Sequence, residues 1–181
     1  MSMFDKVVAA VTPTESEEDR VEARTKAEAA APVGGWLSMV LAHHRQLEAA
    51  FAAVKSAHTP VERRAAQKWL GILLTGHAIA EESVLYPALA LHGEKSHANT
   101  GFNEQATVKT QMAALEELEP MSQEYLAKLE HIRAAVAHHM FEEEGIWFPE
   151  LTKTVLSCDQ VKLSRRYQEE FTRYVGQDQA A

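Results

Sequence analysis

Four segments of this chain carry apolar residues at helical spacing, and polar side chains break every one of the four stripes at core positions. The first reads Leu37, Val40, His44, Leu47, Phe51, Val54. Its intervals of three and four put His44 in a core slot and leave His43 beside it. The second reads Leu70, Leu73, His77, Glu81, Val84, and the third Phe102, Gln105, Val108, Met112, Leu115. The fourth reads Leu129, Ile132, Val136, His139, Glu143, Ile146. Residues four apart share a helix face, so each His-x-x-x-Glu sends both side chains the same way. A chain with this pattern must fold so that the buried polar groups compensate one another or meet something that does.

The segments between breakers are long and rich in Ala, Leu and Glu, and period-2 alternation is missing. The fold class expected is all-α: an up-down-up-down four-helix bundle with additional N- and C-terminal helical segments. A surface helix starts at Thr14 or Ser16 and runs to about Ala30 within an N-terminal extension, residues 1–35. The bundle occupies residues 36–156. Its helices cover Trp36 to His58, Pro60 to Leu91, Phe102 to Glu119 and Ser122 to Thr154, with a loop over His92 to Gly101. A C-terminal helix within residues 157–181 places Tyr167, Phe171 and Tyr174 at helical spacing, and packs an aromatic face on the bundle. Short connections favour antiparallel neighbours.

That topology brings the polar interruptions together. His44 is early in its helix, His77 and Glu81 late, Gln105 early, His139 and Glu143 late, so all fall toward one end of the bundle. A buried carboxylate costs several kcal/mol to desolvate, and two together raise each other's pKa. A metal cation relieves both penalties. Imidazole and carboxylate without thiolate suit iron, manganese or zinc better than copper(I). A single core His is more often a structural residue than a ligand. Three His and two Glu in core phase at one end favour a metal site.

Two segments repeat one skeleton. "HAIAEESVLYPAL" (His77 to Leu89) and "HMFEEEGIWFPEL" (His139 to Leu151) each carry a His, two adjacent Glu, an aromatic, a Pro and a Leu. With "HHRQLEAAF" (His43 to Phe51) and "NEQATVK" (Asn103 to Lys109), they resemble the hemerythrin-like (HHE) cation-binding domains. The resemblance covers about Trp36 to Thr152. It implies a four-helix bundle holding a non-heme diiron centre whose carboxylates bridge the two irons. Carried over by position, the metal ligands are His44, His77, Glu81, His139 and Glu143. Pro87 and Pro149 are then structural, stopping each ligand helix one turn past the site.

The chain departs from the family where it has Gln105 in place of a His, and Lys109 where oxygen-carrying members have a further His. An amide is a weak iron ligand, so the second metal is expected to be held weakly. Gln105 itself and Glu48, four residues after His44, are the possible extra ligands. His43, Glu82, Glu142 and Glu144 are expected around the site or in solvent, and His131 and His138 on its flank. Tyr86, Trp147 and Phe148 are expected to pack. A ferritin-type site needs Glu-x-x-His on two helices, and the only such pair here, Glu94 and His97, lies in the expected loop.

The resemblance implies a protein that binds or senses O₂, NO, peroxide, or iron or redox state. An enzyme reducing peroxide or NO, or oxidising a small substrate, at the same centre is the alternative. A structural bundle holding one stabilising metal, such as zinc, is the third. The partner expected is a small diatomic or peroxide ligand. The net charge of −8 argues against nucleic acid. No apolar run is long enough to span a membrane. The single cysteine, Cys158, and the lack of a signal-peptide pattern make a cytoplasmic location the expectation.

Overall fold

The computed structural model describes residues 15–178, which contain helices and no strand. Ser16 caps α1 (Glu17–Ala30) through a capping box with Asp19. Thr14, the other capping residue expected, lies outside the described residues. Helix α2 is Trp36–Ser56. Thr59 and Glu62 form a second capping box, with Pro60 at the first helical position, and open α3 (Pro60–Ala80). A π turn over Glu81–Leu85 carries α3 into α4 (Tyr86–Leu91). Helix α5 is Lys95–Glu116, and α6 (Gln123–Glu142) starts at a Ser122 cap. A second π turn, Glu143–Trp147, leads into α7 (Phe148–Thr154), and α8 is Ser157–Asp178.

The long elements α2, α3–α4, α5 and α6–α7 form an up-down-up-down bundle. Side-chain pairings fix its directions. His44, early in α2, lies beside His77, late in α3, with ring centroids 5.0 Å apart. Gln105, early in α5, reaches Glu81 at the end of α3. Glu104 beside it meets His139, late in α6. At the opposite end Arg63, at the start of α3, donates to the Pro120 carbonyl just past α5.

The two π turns stand at equivalent places. The Tyr86 N–H donates to the Glu81 carbonyl and the Phe148 N–H to the Glu143 carbonyl, five residues back in each case. A proline follows directly each time, Pro87 and Pro149. Proline has no N–H to donate, and its ring crowds the carbonyl four residues back; the widened turn gives that ring room. The prolines therefore do not stop the ligand helices. They accompany a register change, after which α4 and α7 continue.

The expected loop before Gly101 is shorter than the sequence suggests. Gly93 takes φ +100°, and the Glu94 N–H donates back to the Leu89 carbonyl at 2.9 Å. That turn lets α5 begin at Lys95, two turns before Phe102. The added turns look polar, but Ala98 and Gly101 give them a buried face. Gly101 lies against the ring of Tyr86: a Cβ there would come within 2.7 Å of Tyr86 Cζ.

Two apolar clusters fill the bundle. One holds Trp36, Leu37, Val40, Leu85, Tyr86, Leu89, Trp147, Phe148 and Tyr167. The other holds Leu47, Phe51, Leu70, Leu73, Leu115, Leu129, Ile132 and Val136. The His and Glu interruptions form a polar layer between them. The expected stripes hold with two exceptions. Phe102 is 40 % exposed and covers the edge of Tyr86, and Ile146 is 47 % exposed because Glu144 and Trp147 take the inward places in its π turn. Helix α8 packs along α2 and α3 and buries Tyr167 fully.

Candidate metal centre

Helical phase delivers five side chains to the polar layer. His44, His77, Glu81, His139 and Glu143 are all buried, none more than 6 % exposed. Four of them converge: one donor atom each from His44, His77, Glu81 and Glu143 lies within 4.8 Å of the other three. His44 Nε2 is 3.3 Å from Glu143 Oε2, and His77 Nε2 is 3.2 Å from Glu81 Oε1. His139 Nε2 faces the other oxygen of Glu143, Oε1, at 3.3 Å.

Each histidine is oriented from behind. His44 Nδ1 pairs with Glu144 Oε1 at 2.7 Å, His77 Nδ1 with the Tyr167 hydroxyl at 3.2 Å, and His139 Nδ1 with Glu104 Oε2 at 2.7 Å. Outer partners of this kind fix the tautomer and ring direction of metal-binding histidines. With Nδ1 engaged, all three Nε2 atoms point inward.

The donor set can be tested for a metal by what its atoms lack. His44 Nε2, His77 Nε2, Glu81 Oε1 and Glu143 Oε2 are buried and without a hydrogen-bond partner. Unsatisfied buried polar atoms are costly, and each needs an explanation. Here they belong to the four residues whose donor atoms lie within 4.8 Å of one another, a spacing that ligands of a single cation have. The residues present therefore fit a metal ion.

Charge in the metal-free layer is arranged unevenly. Burial pushes Glu81 well above the ordinary carboxylate range, and the charge on Glu143 adds to it. Burial pushes Glu143 the same way, but His139 and His44 outweigh it and hold that carboxyl low. His44 loses charge stability by burial and regains more from Glu143 and Glu144, rising to about 9. His139 is likewise raised against burial by Glu143 and Glu104. Burial and the positive charge of His44 depress His77.

The family model for the hemerythrin HHE cation-binding domain matches residues 37–151. The chain belongs to that family. No curated protein and no solved structure matches it. As an HHE domain it is a cation-binding bundle, and the convergent His and Glu donors lie inside the matched region.

The remaining candidates take these places in the HHE fold. Glu48 is not brought to the centre: Arg24 of α1 pairs with its carboxylate at 2.9 Å, and its side chain is 47 % exposed. Gln105 is at the centre and buried, but it faces the cluster as a donor. Its Nε2 gives hydrogen bonds to Glu81 Oε2 at 2.6 Å and to the Tyr86 hydroxyl at 2.8 Å. In that placement Gln105 meets the centre as a hydrogen-bond donor to Glu81 and Tyr86. Glu82 pairs with Lys109 at the surface, and His138 with Glu15. His43 stacks on Phe171 and meets the Tyr167 hydroxyl at 2.9 Å. Trp147 and Phe148 pack, as expected.

Three contributors were not legible in the sequence. Tyr86 turns its hydroxyl into the centre, Tyr167 supports two histidines, and Arg24 donates through Nε and Nη2 to Glu144. Lys26 of α1 also donates to the Gly145 carbonyl in the second π turn. The only sequence hint was the aromatic before each Pro.

Proposed function

We propose that this HHE domain is a non-heme iron protein that binds a small ligand, O₂, NO or peroxide, at its buried centre and senses it or the iron and redox state. The observation that carries this reading is the set of four buried, unpartnered donor atoms from residues that converge within 4.8 Å. His44, His77, Glu81 and Glu143 would hold one ion through those atoms. His139 and the other oxygens of the two carboxylates would take part in holding a second, more weakly bound. Nitrogen and oxygen donors without thiolate suit iron, with manganese or zinc as alternatives. The chemistry an iron ion supplies in such a site is Lewis acidity and a one-electron change. The chain supplies a polar layer between two apolar clusters, carboxylates that can bridge, and histidines whose rings are held from behind. A cytoplasmic location belongs to the proposal, on the ground of the single cysteine. No helix among the described residues is long and apolar enough to cross a membrane.

A second reading, an enzyme acting on a small substrate, has an observation of its own. A cavity of about 760 Å³ opens between α3, α5 and α6 and reaches His77, Gln105 and His139. Its other lining includes Leu74, Val108, Met112 and Met140. That is far more room than a diatomic ligand needs and falls in the range of small-molecule sites.

Anaerobic purification with metal analysis, followed by titration with O₂, NO and peroxide under optical observation, tests both. Ligand-dependent spectra without turnover support sensing, and sustained peroxide or NO consumption supports the enzyme. A site that holds only zinc, with no optical response to any ligand, overturns both in favour of a structural metal.

A further inference from the structure

We propose that Tyr86 is a metal ligand: its phenolate oxygen takes the place, at the second ion, of the imidazole that Gln105 does not provide. The proposal rests on the iron reading above and deepens it.

The Tyr86 hydroxyl oxygen is fully buried among potential donors. It lies 3.0 Å from His139 Nε2, 3.1 Å from Glu143 Oε1 and 3.3 Å from Glu81 Oε2. His139 Nε2 and Glu143 Oε1 are themselves 3.3 Å apart. Two donors bound side by side to one first-row metal ion, each at about 2.1 Å, lie about 3 Å apart. The Tyr86 oxygen therefore stands at ligand-to-ligand spacing from each of the other three atoms, and His139 Nε2 and Glu143 Oε1 stand so from each other. They are the inner oxygens and nitrogen left over once Glu81 Oε1 and Glu143 Oε2 face His77 and His44. The carboxylates thus present one oxygen to each of two positions, and Tyr86 belongs to the second.

Gln105 fits this arrangement as a donor. Its amide hydrogens reach both the Tyr86 oxygen and Glu81 Oε2. N–H donors aimed at an oxygen stabilise its anionic form. A histidine at that position would ligate the ion; a glutamine there donates to the Tyr86 oxygen instead, and so offsets part of the burial and of the Glu143 and Glu81 charge that oppose its ionisation when no metal is bound. Coordination exchanges the phenolic proton for the metal, and the proton leaves to solvent.

The backbone explains how residue 86 reaches a site built by residue 81. In a regular α-helix, residues five apart lie about 140° apart around the axis. The π turn closes with a hydrogen bond from residue 86 to residue 81, which brings Tyr86 over Glu81. Gly101 leaves the space its ring occupies. The second π turn puts Phe148 at the equivalent position, and a phenyl ring offers no ligand.

The test uses the full chain, stripped of metal, loaded anaerobically with iron(II) and oxidised with ferricyanide. Iron per chain and the visible and resonance Raman spectra are recorded for the protein, Tyr86→Phe and Tyr167→Phe. The proposal expects a phenolate-to-iron(III) charge-transfer band with coordinated-tyrosinate Raman modes. The band should vanish in Tyr86→Phe, with iron falling from about two toward one per chain, and persist in Tyr167→Phe. Two irons without the band in the unaltered protein would overturn the Tyr86 assignment while leaving the iron reading standing. So would one iron without the band, or an unchanged spectrum in Tyr86→Phe. Because the unaltered protein must itself show the band, a Tyr86→Phe chain that fails to fold does not protect the proposal. Binding of no iron at all would overturn both.

Discussion

His44 Nδ1 lies 2.7 Å from Glu144 Oε1, so the residue after one carboxylate of the centre fixes the ring of a histidine a hundred positions away. Arg24 grips the same carboxylate through Nε at 3.1 Å and Nη2 at 2.9 Å. Helix α1 is thereby tied through Glu144 to the metal centre.

Glu144→Ala is accordingly expected to weaken metal binding about 10- to 100-fold, the usual cost of losing an outer partner. Arg24→Ala should cost less, since Glu144 keeps His44. Glu82→Ala, at the matching place in the first motif, should cost nothing, because Glu82 pairs with Lys109 away from the centre. Competition titration against a chelator of known affinity measures all three. Equal affinities for Glu144→Ala and Glu82→Ala would show that the His44 contact does no orienting.

Gly101→Ala should destabilise the protein despite the better helix propensity of alanine. The gain from replacing a helical glycine is about 1 kcal/mol. Against it, a Cβ at Gly101 would sit 2.7 Å from Tyr86 Cζ and 3.0 Å from its hydroxyl. Overpacking of this kind costs about 1–3 kcal/mol, and the Tyr86 ring is walled in by the core. Thermal unfolding should show a lower melting temperature, together with reduced occupancy of the second metal. A rise in melting temperature would mean that Tyr86 moves aside freely.

The stabilisation conferred by metal should grow with pH between about 6.5 and 9. In the metal-free protein burial opposes a charged His44, but Glu143 and Glu144 outweigh it and raise the group to about 9. A raised histidine stabilises the fold fully below its unfolded pKa of about 6.5 and loses that contribution as pH rises through the folded value. Metal binding needs the same nitrogen free of its proton. Glu81 and His139, also raised, act in the same direction. Melting temperatures with saturating metal and with chelator should therefore diverge from pH 6.5 to pH 9. A constant difference would contradict the proton-for-metal exchange.

Much of the centre was legible because α-helical phase is a sequence property. His44, His77, Glu81, His139 and Glu143 stand in core slots by spacing alone, and the structure brings all five to one layer. What stayed hidden depends on breaks in that phase. Tyr86 looks like a packing residue until the π turn rotates it over Glu81. Glu144 stands about 100° off the stripe, yet it is buried because Arg24 and His44 face it. The start of α5 was hidden because its buried face is built from Ala98 and Gly101, which leave no apolar stripe to read. Glu48, a possible ligand by its spacing after His44, shows the reverse: an arginine from another helix pairs with it at the surface.

The central claim, that the polar layer is a metal centre, is tested most directly by iron per chain after anaerobic iron loading and removal of free metal. The account predicts between one and two irons for the unaltered chain and a loss of the second on Glu143→Ala, since that carboxylate faces both positions through its two oxygens. No bound transition metal in the unaltered chain, with a melting temperature unmoved by chelator, would contradict it.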